Sequence, residues 1–341
     1  MAAERDDATP RILATMDDRV GRTILTLALA ASCAAPVGCR RRDAGVDAAT
    51  TSTGTSGSDV ALSRGSIASG GHTRTFAYFV PADAPKPLPL VIALHGRLGD
   101  GAGQDRLSHL STIAAREKFV LALPDGYSRS WNDARHATPA AKDGYDDVAF
   151  LGDLITWLVA NTGADPSRVY LTGMSNGGFM AATAACALAD RVAAFAIVGS
   201  TFPGGLEATC KPSRAMPAMV VMGDRDPLVP YAGGGLGRNA ERGTALSAID
   251  AARFWATTNG CAPASTASAL PDTDPDDGTR TNVTRFTGCR DGADVSLFTV
   301  EGGGHTWPGG LQYLGERMIG KTSRDWDASA VIWAFFAGKR R

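Results

Sequence analysis

The segment Gly173-Met174-Ser175-Asn176-Gly177 carries the residues best suited to covalent chemistry. It follows Arg168-Val169-Tyr170-Leu171-Thr172, a β-branched and aromatic run, and precedes Gly178-Phe179-Met180-Ala181-Ala182-Thr183-Ala184-Ala185, a helix-forming run. Strand, then Gly-x-Ser-x-Gly, then helix is the context of a nucleophile elbow, a tight turn that lifts one serine hydroxyl above a sheet edge. Such a turn is strained and needs small neighbours, which the two glycines supply. Ser175 is the candidate nucleophile.

A serine hydroxyl needs a base, and the base needs an acid to orient it. Behind an elbow of this kind the chain order is Ser, then Asp or Glu, then His. Met219-Val220-Val221-Met222 reads as a buried strand, and the loop Gly223-Asp224-Arg225-Asp226-Pro227 follows it. Asp224 and Asp226 both qualify as the acid. Asp226 is favoured, because Pro227 stiffens the backbone beside it. Of the five histidines, His72, His95, His109, His136 and His305, only His305 lies after Asp226. It sits in the glycine-rich Gly302-Gly303-Gly304-His305-Thr306-Trp307, directly after the strand-like 295–300. An oxyanion hole needs the amide of the residue after the nucleophile, Asn176, and amides of the loop after the third strand. That loop is His95-Gly96-Arg97-Leu98-Gly99, so the Arg97 and Gly96 amides are expected there, with His95 as a structural residue. Asp146 and Asp147 precede an apolar-periodic stretch and read as helix N-terminal acids. No segment has metal-ligand spacing.

With these residues in place, the chain resembles the secreted polyhydroxybutyrate depolymerases and feruloyl esterases of the α/β-hydrolase superfamily. The matching segments are Ala93-Leu94-His95-Gly96, Ser130-Trp131-Asn132, 146–150, Gly173–Gly178, 226–231 and 302–309. The resemblance implies triad roles for Ser175, Asp226 and His305. It also implies that Trp131 and Trp307 line the substrate cleft. Arg97 is a departure, since relatives often carry a small or uncharged residue there. The implied substrates are feruloylated or acetylated polysaccharide fragments, or hydroxyalkanoate oligomers, with no cofactor. Two rival readings are an acyltransferase on the same triad and a non-catalytic surface binding protein.

The rest of the chain fits one α/β domain. Strands are expected at 75–80, 88–94, 119–123, 168–171, 193–198, 218–222 and 295–300, and helices at 108–118, 148–161, 246–258 and 328–337. Near-continuous apolar strands separated by helices predict a mostly parallel central sheet covered on both faces. Basic and acidic residues nearly balance at 34 and 35, so nothing suggests a nucleic-acid partner. No Gly-x-Gly-x-x-Gly opens the first βα unit, which argues against a dinucleotide.

The N-terminal segment has its own logic. Arg22 is followed by Thr23-Ile24-Leu25-Thr26-Leu27-Ala28-Leu29-Ala30-Ala31-Ser32-Cys33, a short apolar core ending in small residues. That pattern is an export signal, too short to span a bilayer. The expected organisation is an export signal over 1–39, with Met16 as an alternative start, a flexible tether over 40–66 and a catalytic domain over 67–341. Small residues before Cys33 and Cys39 leave two fates open: cleavage and secretion, or lipidation and a membrane tether at the cell surface. Neither cysteine has a leucine three residues upstream. Cys186, Cys210, Cys261 and Cys289 are an even set suited to an oxidising compartment. Cys261 with Cys289 would staple the polar insertion 262–288, and Cys186 could pair with Cys210 or stay a free thiol. Four cysteines allow three connectivities. Edman sequencing of the exported protein is expected to begin beyond Ala31; a mature chain starting at Ala2 would refute the leader.

Overall fold

The computed structural model describes residues 60–341, a single compact unit. The export signal, Met16, Cys33, Cys39 and most of the tether lie outside the described residues. The tether's C-terminal boundary needs correction. Ser63–Ser69 is the first strand, β1, paired antiparallel with β2, His72–Phe79. Small polar residues hid it, because an edge strand with an exposed face needs few apolar side chains.

Further strands are β3 (Leu88–Leu94), β4 (Val120–Pro124), β5 (Ala164–Met174), β6 (Ala194–Val198), β7 (Ala218–Gly223), β8 (Ser265–Ala269), β9 (Arg280–Phe286) and β10 (Val295–Glu301). They form one ten-stranded sheet in the order β1-β2-β4-β3-β5-β6-β7-β10-β9-β8. The six central strands, β4 to β10 in that order, run parallel; β1, β2, β8 and β9 are antiparallel additions at the two edges. The β8–β9 hairpin lies inside the polar insertion, which was expected to be a loop. Three side chains of β9, Thr281, Val283 and Phe286, are buried, enough to seat it against β10.

Alternation along the central strands sends successive residues to opposite faces. Leu90, Ile92, Leu94, Val169, Leu171, Phe195, Ile197 and Val220 pack on one face against α3 (Asp147–Thr162), α4 (Asn176–Ala187) and α5 (Ala248–Thr258). Val91, Ala93, Tyr170, Ala194, Ala196, Val198 and Met219 pack on the other against α2 (Leu110–Glu117) and α6 (Ala328–Phe336). The expected helix at 108–118 starts later. His109 takes a left-handed conformation, φ 54°, and separates α2 from an unexpected α1, Gly101–Ser108. Asp100 caps α1 by accepting from Gly103 N at 2.6 Å, and Ser247 caps α5 by accepting from Asp250 N at 3.0 Å.

Two disulfides join Cys186 to Cys210 and Cys261 to Cys289. They close chain segments of 24 and 28 residues. Loop closure of that length stabilises by roughly 3 kcal/mol each. No helix among the described residues is long and apolar enough to cross a membrane.

Asp165 anchors the C-terminus. Burial alone would raise its carboxyl, but bonds from Ser167 and Arg168 outweigh that and hold it at about 2, against an ordinary 3.8. Arg340 Nη1 adds a contact at 3.5 Å. A carboxyl depressed in the folded state contributes stability above its unfolded pKa and loses it as pH falls through the folded value. Asp165→Asn is therefore expected to cost about 2 kcal/mol at pH 7 and almost nothing below about pH 2. Urea unfolding at several pH values checks this; a cost that does not shrink on acidification refutes it.

Candidate active site

Strand β5 ends at Met174 and helix α4 begins at Asn176, so Ser175 alone makes the turn. Its φ of 54° and ψ of −122° lie where a side-chain-bearing residue is strained. Its N–H donates to Val198 O at 2.9 Å and its carbonyl accepts from Phe179 N at 3.0 Å, which holds the turn. The glycines are there for backbone approach. A Cβ on Gly177 would stand 2.2 Å from Leu94 O, one on Gly173 would stand 2.5 Å from Gly177 O, and one on Gly178 would meet Ser200 Oγ at 2.0 Å.

Helix α4 aims its N-terminus into a cavity of about 680 Å³. Ser175, Asn176, Gly96, Arg97 and His305 all line it. The backbone N–H groups of Gly96, Arg97 and Asn176 donate to no acceptor among the described residues. The loop that carries the first two is folded tightly against the elbow, with a Gly96 Cβ position only 3.4 Å from Ser175 Cβ. His95 holds this loop. Gly126 N donates to His95 Nε2 at 2.9 Å, which leaves Nδ1 as the protonated nitrogen facing Gly96 O at 2.8 Å. Burial lowers the pKa of this imidazole, and that favours the neutral form the two bonds require.

His305 Nδ1 donates to Asp226 Oδ2 at 2.7 Å, and both side chains are buried. Asp226 Oδ1 accepts from Leu228 N and Val229 N, each at 2.8 Å, so the carboxylate is fixed before it meets the ring. Asp224, the other candidate, accepts from Gly302 N at 2.7 Å and fastens the loop that carries His305. Tyr313 Oη donates to His305 O at 3.1 Å. Burial, and then the charge of Asp226, push the Tyr313 phenol upward, so it stays a donor. His305 Nε2 and Ser175 Oγ have no hydrogen-bond partner among the described residues, although both open on the same cavity.

The two tryptophans do not line the cleft. Trp131 and Trp307 are both 0% exposed, and neither borders the cavity. Trp131 is a brace. Its Nε1 donates to His95 O at 2.9 Å, its backbone N donates to Asn176 Oδ1 at 2.8 Å, and its carbonyl accepts from Asn176 Nδ2 at 3.1 Å. It thereby ties the 95–97 loop to the elbow helix. Trp307 Nε1 donates to Ser329 Oγ at 3.0 Å and pins the His305 loop to α6. An indole buried in a packed interior finds a partner for its N–H, and both did so away from solvent.

Sequence reasoning missed a second layer. Asn176 Nδ2 also donates to Asp133 Oδ2, and Asp133 is paired with Arg135, whose guanidinium lies 3.9 Å over the Phe179 ring. Asp146 caps α3 through Ala149 N at 2.9 Å, as expected of a helix N-terminal acid. Asp147 does more: it is buried, pairs with Arg74 Nη2 at 2.6 Å and accepts from Asn132 N at 2.7 Å. Burial is the largest influence on its carboxyl and pushes it up, with Arg74 opposing. An acid–arginine pair two residues apart in a loop has no spacing signature, so Asp133 could not be singled out. Among the described residues no group of three or more His, Cys, Asp and Glu side chains could hold a metal.

Comparison with known proteins gives the chain its relatives. The sequence profile of the family described as "Esterase PHB depolymerase" matches residues 74–232. The chain resembles the polyhydroxybutyrate depolymerases and feruloyl esterases, which supports a carboxylic-ester hydrolase. It is 28% identical to the putative esterase NocK of Nocardia uniformis subsp. tsuyamanensis, over 79% of this chain and 80% of that one. It is 30% identical to feruloyl esterase B of Piromyces equi, over 64% of this chain but only 40% of that longer protein. The solved acetyl xylan esterase of Aspergillus awamori has the same α/β-hydrolase fold, with a TM-score of 0.53 at 17% identity over 72% of this chain and 94% of that one.

The carboxylesterase's buried Asp133–Arg135 pair supports the amide of Asn176, so removing one partner strands a charge. Asp133→Ala is expected to lower unfolding free energy by about 3–5 kcal/mol. A urea midpoint within error of wild type would overturn the supporting role.

Proposed function

We propose that this carboxylesterase is an exported serine enzyme that works through an acyl-enzyme. The observation that carries the proposal is a strained Ser175 and an Asp226-held His305 opening on one cavity beside three unpaired backbone N–H groups. In this reading Ser175 Oγ attacks the ester carbonyl carbon. Its proton passes to His305 Nε2, and the developing negative oxygen is met by the amides of Asn176 and of Arg97 or Gly96. Asp226 holds the ring so that Nε2 faces the serine and stabilises the imidazolium as it forms. The imidazolium returns the proton to the departing alcohol. Water, deprotonated by the same nitrogen, then attacks the acyl carbon and frees the acid and Ser175 Oγ. Contact between Ser175 and His305 tightens once substrate fills the cavity, since catalytic hydrogen bonds that are long in a free enzyme shorten in its substrate complex.

The walls favour a substrate with a sizeable apolar part. Leu98, Leu228, Leu311, Tyr313 and Leu314 border the cavity and remain partly exposed. Aromatic acyl esters and hydroxyalkanoate oligomers both present such surface, whereas a lone acetyl group would leave most of it wet. The two disulfides suit an extracellular or cell-surface location, since such bonds persist in oxidising compartments.

Ser175→Ala is expected to lower kcat/KM on methyl ferulate and hydroxybutyrate oligomers by at least about 10⁴. A fluorophosphonate probe should label wild type at Ser175 and leave the variant unlabelled. Labelling at another residue, or full turnover by the variant, would sink the mechanism.

A further inference from the structure

Four arginines and no carboxylate line the cavity: Arg97, Arg106, Arg135 and Arg242. Their charges are not equally available. Arg135 is neutralised by Asp133 and stacked on Phe179. Arg242 has Glu241 at 3.8 Å, with both side chains about half exposed, so water screens that pair strongly. Arg97 and Arg106 have no carboxylate within ion-pair distance among the described residues. They stand on two adjoining pieces of chain, the oxyanion-hole loop and α1.

The same helix supplies a second observation. Gln104 is 2% exposed and lines the cavity, yet neither its Oε1 nor its Nε2 has a hydrogen-bond partner. A buried amide left unpaired costs free energy, and native proteins rarely keep one without a purpose. Leu107, three residues on, gives this face an apolar strip that continues to Leu311, whose N–H donates to Leu107 O at 3.1 Å. The wall therefore offers an apolar surface, a spare amide and unpaired guanidinium groups within one cavity.

We infer that this cavity selects esters that carry a carboxylate, with Arg106 and Arg97 holding the anion and Gln104 donating to a polar group of the same substrate part. Monoesters of dicarboxylic acids and short hydroxyalkanoate oligomers with a free acid end have this chemistry: an apolar chain, a reactive ester and a remote negative charge. The inference rests on the esterase reading and names the substrate class of that site. A guanidinium fork matches a carboxylate in shape as well as charge, which a neutral ester or its methyl-capped analogue cannot exploit. Arg97 and Arg106 are both exposed, so their attraction for the anion is open to screening by salt.

The test is a matched pair, mono-4-nitrophenyl glutarate with a free carboxylate and its methyl-capped neutral counterpart. Wild type is expected to favour the anionic ester in kcat/KM by roughly tenfold or more. Arg106→Gln should lower that ratio about tenfold, mainly through KM, and Arg106→Lys should restore part of it. Raising NaCl from about 0.05 to about 0.5 M should also compress the ratio. A wild-type ratio near one, or a ratio unmoved by Arg106→Gln in a variant with wild-type circular dichroism, overturns the inference. Binding separates it from the mechanism. Calorimetry of both esters on Ser175→Ala reads anion recognition without turnover, so equal affinities sink the inference. Selective binding of the anionic ester to an enzyme that turns over neither ester sinks the serine mechanism instead.

Discussion

The site depends on one close approach of backbones. The carbonyl of Leu94, at the end of β3, lies where a side chain on Gly177 would have to go, and His95 O crowds the same point at 2.5 Å. Because the chain can pass there, β3 and β5 end side by side and the two loops that leave them face each other. One loop brings Gly96 and Arg97, and the other brings Ser175. The strained φ of Ser175 follows from this geometry, because the chain must reverse from strand to helix within one residue. Strain of this kind costs on the order of 1–3 kcal/mol and persists only where its surroundings over-determine it. Here the surroundings are the Val198 and Phe179 bonds on either side of Ser175.

Beneath Ser175 and Asn176 lies a buried polar layer. Asn176, Asp133 and Arg135 form one chain of contacts, and Arg74, Asp147 and Asn132 form another, with the backbone of residues 131–133 running between them. Each charge is paired and hydrogen-bonded, which is what makes burial tolerable. An apolar layer of the same volume would pack as well. It could not fix the orientation of the Asn176 peptide, whose N–H must face the cavity. In the proposed mechanism rigidity at that amide matters, because an oxyanion donor acts through preorganisation rather than through movement during reaction.

The sheet and the turn at Ser175 were legible because their signals are local. Apolar runs marked the central strands to within a few residues, and the Gly-x-Ser-x-Gly context marked the turn. Chain order alone isolated His305. Edge elements were harder to read. β1 and the β8–β9 hairpin are built mostly of Ser, Thr, Ala and Arg, and they form because a neighbouring strand offers free hydrogen bonds, a property of the partner. The α1 helix opens with Gly-Ala-Gly, a poor helix former, and is held by the Asp100 cap and by packing against β3 and β4. The tryptophans failed for a different reason. Sequence proximity to the site says that a residue is near, and does not say which way its ring points. Trp131 points inward because its N–H meets the carbonyl of His95 there.

The same reasoning explains how residues 130 positions apart can be held in register. Ser175 N–H is bonded to Val198 O, the last residue of β6. The next residue, Gly199, has φ 56° and lies under the imidazole, where an added Cβ would stand 3.3 Å from His305 Nδ1 and Cε1. Gly199 N is in turn bonded to Val221 O on β7, the strand whose following loop carries Asp226. The turn at Ser175 is therefore bonded to the end of β6, and the end of β6 is bonded to β7, the strand that leads to Asp226. These two bonds tie the turn at Ser175 to the strand that leads to the Asp226 loop, and Gly199 brings the same backbone under the His305 ring.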